Sequence, residues 1–222
     1  MALEIHDPWV LLGAIAHATT RIRLGTMVTP LPRRRPAKFA REVTTLDHLS
    51  NGRVIVGAGL GFPPDDDFAA FGDAPDERTR GAQLDEALDI AAALWSGAPM
   101  AFHGQHYHVE ACFSPPPVQR PHPPVWIACS WPRRAGLARA RKWQGIVPIS
   151  ADGKPLVPAV IAEIVGALAP APSGFDVATA RAPGHPVADY ERAGTTWLIE
   201  SRWPDGDWFA ELEAAAARGP LS

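Results

Sequence analysis

Gly57, Gly59 and Gly61 follow the apolar triplet Val54-Ile55-Val56 at a spacing of two. Glycine carries no Cβ, so a planar ring can be brought against bare main chain there; a pliant exit loop is the other use of the same residues. The order G-x-G-x-G, with Pro63-Pro64 and Asp65, Asp66 and Asp67 next, is not the G-x-G-x-x-G that opens a helix on a dinucleotide, and that motif is excluded. A second constellation is Ala128-Cys129-Ser130-Trp131-Pro132, with Arg133 and Arg134 behind it. A helix starting here would aim free N–H groups at an anion. Ser130 would add a hydroxyl and the arginines positive charge, which together suit a phosphate. Ser130 as a plain helix cap is the alternative. Glu200 stands at the end of the last apolar run and is the best-placed carboxylate for proton handling; an ion pair with a nearby arginine is its other reading.

His103, His106 and His108 invite zinc, and His106 and His108 would share one face of a strand. No acid or cysteine completes a set at metal spacing, so no metal is expected. Cys129 reads as a small core residue rather than a nucleophile, and no G-x-S-x-G elbow supports a hydrolase. Gln144-Gly145 reads as a turn.

These residues need a frame. Asp7-Pro8 caps a helix, carried by Val10, Leu11, Ala14, Ile15 and Ala18 at helical spacing. Residues 21–28 read as a strand, Pro36 opens a second helix, and Asn51-Gly52 stops it before a strand at 54–58. A long loop runs to about 77. Residues 84–95 are an amphipathic helix with Leu84, Leu88, Ala91 and Trp95 on one stripe. Residues 101–109 form a hairpin around Gly104-Gln105. Strands then begin at Val125, Ile146, Phe175 and Thr195, separated by helices at 133–143, 156–168 and 187–192, with a last helix at 208–218. Strand and helix alternate, so the sheet is expected to be parallel, with ligands beyond the carboxyl ends of its strands. Six principal strands are predicted, at Ile22, Val54, Val125, Ile146, Phe175 and Thr195. A (β/α)₈ barrel has eight.

The chain has 222 residues, 46% of them hydrophobic, and a formal net charge of −3, which fits one domain over residues 1–222. A nearly balanced charge gives no case for nucleic acid or an anionic membrane, and Arg33-Arg34-Arg35 reads as a solvated loop. No apolar run reaches the length of a membrane span. Cys112 and Cys129 form no disulfide framework, which suits a reduced, cytoplasmic setting.

Several stretches then fall into a known order: Ala14-x-Ala16-x-x-Thr19-x-Arg21-Ile22-Arg23-Leu24-Gly25-Thr26, Arg35-Pro36-Ala37, and Thr45-Leu46-Asp47-x-Leu49-Ser50-x-Gly52-Arg53. Phe71-Gly72, Leu94-Trp95-Ser96-Gly97, Phe102-His103-Gly104-x-x-Tyr107 and Pro117-Val118-Gln119-Arg120-Pro121-x-Pro123-Pro124-Val125-Trp126 follow. Tyr190-x-x-Ala193-Gly194-Thr195-Thr196-Trp197-Leu198-Ile199-Glu200 closes the series. Together they closely resemble the bacterial luciferase-like family.

The resemblance implies a (β/α)₈ barrel binding FMN or the deazaflavin F420, and an oxidoreductase or monooxygenase acting on a small organic substrate. The match makes residues 22–28 the family's third strand, so the first two strands and first helix have no counterpart and six strands remain. It implies that Thr26, Met27 and Val28 form a bulge under one face of the flavin ring, with Gly59 and Gly61 nearby. Ala128 and Cys129 stand where relatives carry a Gly-Gly at the cofactor phosphate, joined by Ser130, Trp131 and Arg134. A homodimer is expected, pairing through the open edges at 22–28 and 195–199. A non-catalytic remnant that binds cofactor weakly is the alternative.

Overall fold

The computed structural model describes residues 6–201 and 207–219. The chain divides into two compact units, Met1–Trp126 and Ile127–Ser222.

In the first unit, α1 (Pro8–Ala18) starts at Asp7, whose carboxylate accepts from the N–H groups of Trp9 and Val10. Two short strands follow, β1 (Leu24–Gly25) and β2 (Thr29–Pro30), and both pair in parallel with β3 (Val54–Gly59). α2 (Pro36–Ser50) joins them and ends at Asn51, whose φ of 54° puts it in the left-handed region expected of this stop. β3 is buried along its whole length, as its β-branched start predicts. The next segment holds a one-turn helix, α3 (Pro64–Asp67), and then α4 (Glu77–Trp95). The side chain of Asp76 caps α4 through Thr79 N–H, so the helix begins two turns before the stripe that announces it. Trp95 is fully buried and its indole donates to the Ala40 carbonyl of α2 at 3.0 Å. The hairpin of β4 (Met100–His103) and β5 (His108–Ala111) is antiparallel, as expected. The proline-rich stretch after it is tied down by Gln119, whose main-chain and side-chain N–H groups reach the buried Asp47 carboxylate at 2.9 and 2.8 Å.

The second unit continues β6 (Val125–Trp131) and adds α5 (Ala135–Ala140), β7 (Gly145–Ser150), α6 (Pro158–Leu168), β8 (Asp176–Ala180), α7 (Val187–Arg192), β9 (Trp197–Ile199) and α8 (Trp208–Arg218). β7 pairs with β8 and β8 with β9, all parallel. Tyr190 is fully buried; its hydroxyl donates to the Leu156 carbonyl at 2.8 Å and accepts from Ala182 N–H at 2.7 Å. Apart from the β1/β2 break and the β4–β5 hairpin, strands alternate with helices; the strand order is β1-β3-β6-β7-β8-β9, and the pairings of β1 with β3, β7 with β8 and β8 with β9 are parallel, as the alternation predicts.

Three expectations need correction. The strand at 21–28 is broken after Gly25 and resumes at Thr29. The helix expected at 133–143 is cut to six residues. The strands at the two ends of the order, β1 with two residues and β9 with three, are too short to template pairing with another chain.

Candidate functional site

The break after Gly25 is the first feature of the site. Leu24 and Gly25 lie opposite Val54 and Ile55, and Thr29 and Pro30 lie opposite Ala58 and Gly59. From Gly25 to Thr29 is one residue more than from Ile55 to Ala58, so residues 26–28 are a β-bulge at the carboxyl end of the strand. The Met27–Val28 peptide is cis. Within the bulge Thr26 is buried, while Met27 is 53% exposed.

A directed chain of hydrogen bonds holds this bulge. The Trp9 indole donates to Thr29 Oγ1 at 3.1 Å, and Thr26 Oγ1 donates to the Gly57 carbonyl at 3.2 Å. Thr29 and Thr26 share a hydrogen bond of 2.7 Å. With those two ends fixed, Thr29 donates and Thr26 accepts. All these polar atoms lie in the interior, where an unmade bond is costly.

The glycines make room for the protein itself. A Cβ on Gly57 would lie 1.9 Å from the Thr26 carbonyl oxygen, so Gly57 admits the bulge and not a foreign ring. Gly61 has φ +85°, and a Cβ there would strike the Phe68 ring at 2.7 Å and Pro30 at 2.8 Å. The close approaches predicted at Gly57 and Gly61 are therefore internal, and what Gly61 can offer a ligand is its main chain. Gly59 is the last residue of β3 and pairs with Pro30.

Arg80 fixes the mouth that follows. Its guanidinium donates to the carbonyls of Leu60 and Gly61 at 3.1 and 2.8 Å and lies 4.6 Å from the Phe68 ring centre. Sequence reasoning missed it, although the buried stripe of α4, carried one turn back from Leu84, lands on this arginine.

In the second unit, Ser130 and Trp131 are the last residues of β6. Ser130 is therefore not the cap of α5, whose first turn has no side-chain cap. The six-residue α5 does not supply the helix start invoked for a phosphate; what remains is the Ser130 hydroxyl and local positive charge. Ala128, Ser130 and Trp131 are half-buried, and the exposed Arg134 guanidinium stacks 4.9 Å from the Trp131 ring centre. Cys129 points into the core. A Cβ on Gly136 would meet its sulfur at 2.7 Å, and burial pushes the thiol pKa up. A ligand contact at Cys129 is thus left to its main chain. Glu200 lies 3.6 Å from Arg181, the ion pair that was its alternative reading.

The histidines are divided. His103 and His108 face each other across the hairpin with ring centres 5.9 Å apart. His106 lies in the turn rather than on a strand with His108. No group of three or more metal-ligating side chains is found among the described residues. The turn instead encloses Glu86, which sequence reasoning also missed. Its carboxylate accepts from the N–H groups of Gln105, His106 and Tyr107 at 2.8, 2.9 and 3.0 Å. Burial raises the Glu86 pKa, but these three bonds outweigh it and the net shift is downward. A Cβ on Gly104 would come 2.3 Å from the carboxylate, which explains the glycine in Phe102-His103-Gly104-x-x-Tyr107.

A bulge at the carboxyl end of a parallel strand, over a glycine that must be bare, is the local signature the sequence motifs imply. The family model for luciferase-like monooxygenases matches residues 2–182. The chain belongs to the luciferase-like monooxygenase family.

It is similar to the F420-dependent glucose-6-phosphate dehydrogenase of Amycolatopsis mediterranei, 35% identical over 155 residues, covering 68% of this chain and 46% of that one. An uncharacterized protein of Mycobacterium tuberculosis is 36% identical over 147 residues, covering 66% of this chain and 48% of its own. Among solved structures, monooxygenase RslO1 from Streptomyces bottropensis shares the fold with a TM-score of 0.66 at 22% identity, over 95% of this chain and 59% of that one. The chain spans about half the length of the curated relatives it matches. Its fold matches part of a luciferase-like (β/α)₈ barrel, with six principal strands among the described residues. Relatives and structural neighbours use F420 or FMN. No described helix is long and apolar enough to cross a membrane.

Proposed function

We propose that this chain carries the cofactor-binding framework of a flavin- or F420-dependent oxidoreductase that acts on a small organic substrate in the cytoplasm. The observation that carries this reading is the locked bulge at Thr26, Met27 and Val28. It sets a half-exposed side chain and a displaced main chain at the end of a strand where parallel α/β proteins bind ligands. The residues fit such a cofactor. A flat ring can lie on the exposed side of Met27 and the half-buried Val28, with the main chain of Gly59 and Gly61 as neighbours. The Ser130 hydroxyl and the Arg134 guanidinium have the chemistry to hold a phosphate, with Ala128, the Cys129 main chain and Trp131 beside them.

When bound, the cofactor supplies two-electron transfer. The chain's own residues bind, orient and exclude water. The bulge is pre-formed by the Trp9–Thr29–Thr26 chain, so little is reorganised when a ring docks. Glu200, paired with Arg181, can accept a proton from substrate only if that pair opens. F420 is favoured over FMN by the glucose-6-phosphate dehydrogenase relatives.

The test is turnover. The chain is supplied with F420 and a panel of small alcohols and sugar phosphates, and separately with reduced FMN and oxygen. Bleaching of F420 by one member of the panel is expected, with a Ser130→Ala, Arg134→Ala variant needing about tenfold more cofactor, or about 1.4 kcal/mol. Binding without turnover in either system would make this a non-catalytic cofactor binder.

A further inference from the structure

A groove of about 510 Å³ runs between the start of α6 and α7. That is room for a small organic molecule. Its apolar lining is of short side chains, Pro158 and Ala162 on α6 and Ala193 just past α7. Its polar groups come from the other side, His185, Asp189 and Arg192. Ala162 and Arg192 are exposed, and His185 and Asp189 are half-buried. None of the residues assigned to the cofactor lines the groove.

The fold fixes both walls. The buried Tyr190 hydroxyl holds the Leu156 carbonyl, ahead of α6, and the Ala182 N–H, ahead of α7. Just past Ala193, Gly194 has φ +95°, and a Cβ there would lie 3.1 Å from the Val165 side chain, so the chain leaving α7 lies close on α6. Asp189 and Arg192 form an ion pair on α7. That contact takes one carboxylate oxygen and one of the five guanidinium N–H donors. Donors and an acceptor are left over side by side. The pair has no net charge but a strong dipole. A bare anion gains from Arg192 and loses to Asp189, and a bare cation does the reverse. A zwitterion laid antiparallel to the pair satisfies both.

We propose that the α6–α7 groove binds an aromatic α-amino acid. The carboxylate accepts from Arg192, the ammonium donates to Asp189, and the ring lies on Pro158, Ala162 and Ala193. The short side chains leave room for a ring, and His185 brings an aromatic side chain for it to stack on.

Calorimetric titration of L-phenylalanine into the chain without cofactor tests this, so the outcome is independent of the redox function proposed above. Three other probes remove one feature each: 3-phenylpropionate the ammonium, 2-phenylethylamine the carboxylate and L-alanine the ring. Saturable binding of L-phenylalanine is expected, with each of the three weaker by about tenfold or more. Arg192→Gln is expected to weaken L-phenylalanine by about tenfold, and Ala162→Phe to fill the groove and abolish binding. Both positions open onto solvent, so far-UV circular dichroism and melting temperature are expected to match the parent chain. No saturable binding of L-phenylalanine to the parent overturns the proposal. So does equal binding of 3-phenylpropionate, which would make this a plain anion site, or undiminished binding in both variants, which would place the ligand elsewhere.

Discussion

Arg53 ends the Leu49-Ser50-x-Gly52-Arg53 motif, and its guanidinium bonds to main chain around it and to Thr19. It donates to the carbonyls of Ser50, Ile22, Ala16 and Thr19 at 2.7 to 2.9 Å and to the Thr19 hydroxyl at 3.0 Å. The positive charge thus closes the C-terminus of α1, where the helix dipole favours a cation, and fixes the segment that leads into β1. Arg53→Ala leaves several interior carbonyls unmatched and is expected to cost about 3 kcal/mol, read by urea denaturation. Arg53→Lys is expected to recover little, because an ammonium cannot span these acceptors. Full stability in Arg53→Lys would show that the fork is not needed. The motif was legible in the sequence, but this role was not. Nothing in the spacing says that residues 16, 19 and 22 turn their carbonyls toward residue 53. Thr26, Met27 and Val28 came from a family resemblance, and nothing in the sequence singled out the lock on them, Trp9 with Thr29. Cys129 was legible as a core residue from its position in an apolar run, and its raised thiol pKa agrees.

Among the elements, the regular ones were legible because periodicity and stop residues determine them. α2 ends where Asn51-Gly52 ends it, and α7 spans the predicted residues 187–192. The bulge was not legible as a break, since Thr26-Met27-Val28 has the β propensity of a continuous strand and only pairing with β3 exposes the extra residue. The hairpin at Gly104 was legible, but its reason was not: it wraps a carboxylate from mid-α4. Glu86 has its pKa lowered in the folded chain, so its contribution is fully present above the ordinary glutamate value of about 4.3 and fades as pH falls through the lower folded value. Glu86→Gln keeps the shape but weakens three bonds to an anion. A loss of about 1–2 kcal/mol at pH 7 is expected, shrinking as the pH is taken below 4, in denaturant melts at both pH values. An equal loss at both would remove the charge from the explanation.

At the scale of the whole molecule, alternation of strand and helix was enough to predict a parallel α/β chain, and motif order was enough to predict the family. The described structure bears out the first, and the family model over residues 2–182 bears out the second. What composition could not convey is that, among the described residues, Val10, Leu11 and Ile15 of α1 are exposed, because its pattern reads like any buried helix. The central claim concerns the bulge as the seat of a flat-ring cofactor. Its most direct test is a fluorescence titration of F420 and of FMN into the parent chain, into Gly57→Ala and into Glu86→Gln. Gly57→Ala drives a methyl into the Thr26 carbonyl and must displace the bulge. Glu86→Gln weakens the fold at the hairpin turn and controls for general destabilisation. Saturable binding of at least one cofactor to the parent is expected, weakened at least tenfold in Gly57→Ala and within about twofold of the parent in Glu86→Gln. Equal affinity in the parent and Gly57→Ala, or no saturable binding of either cofactor to the parent, would contradict the claim.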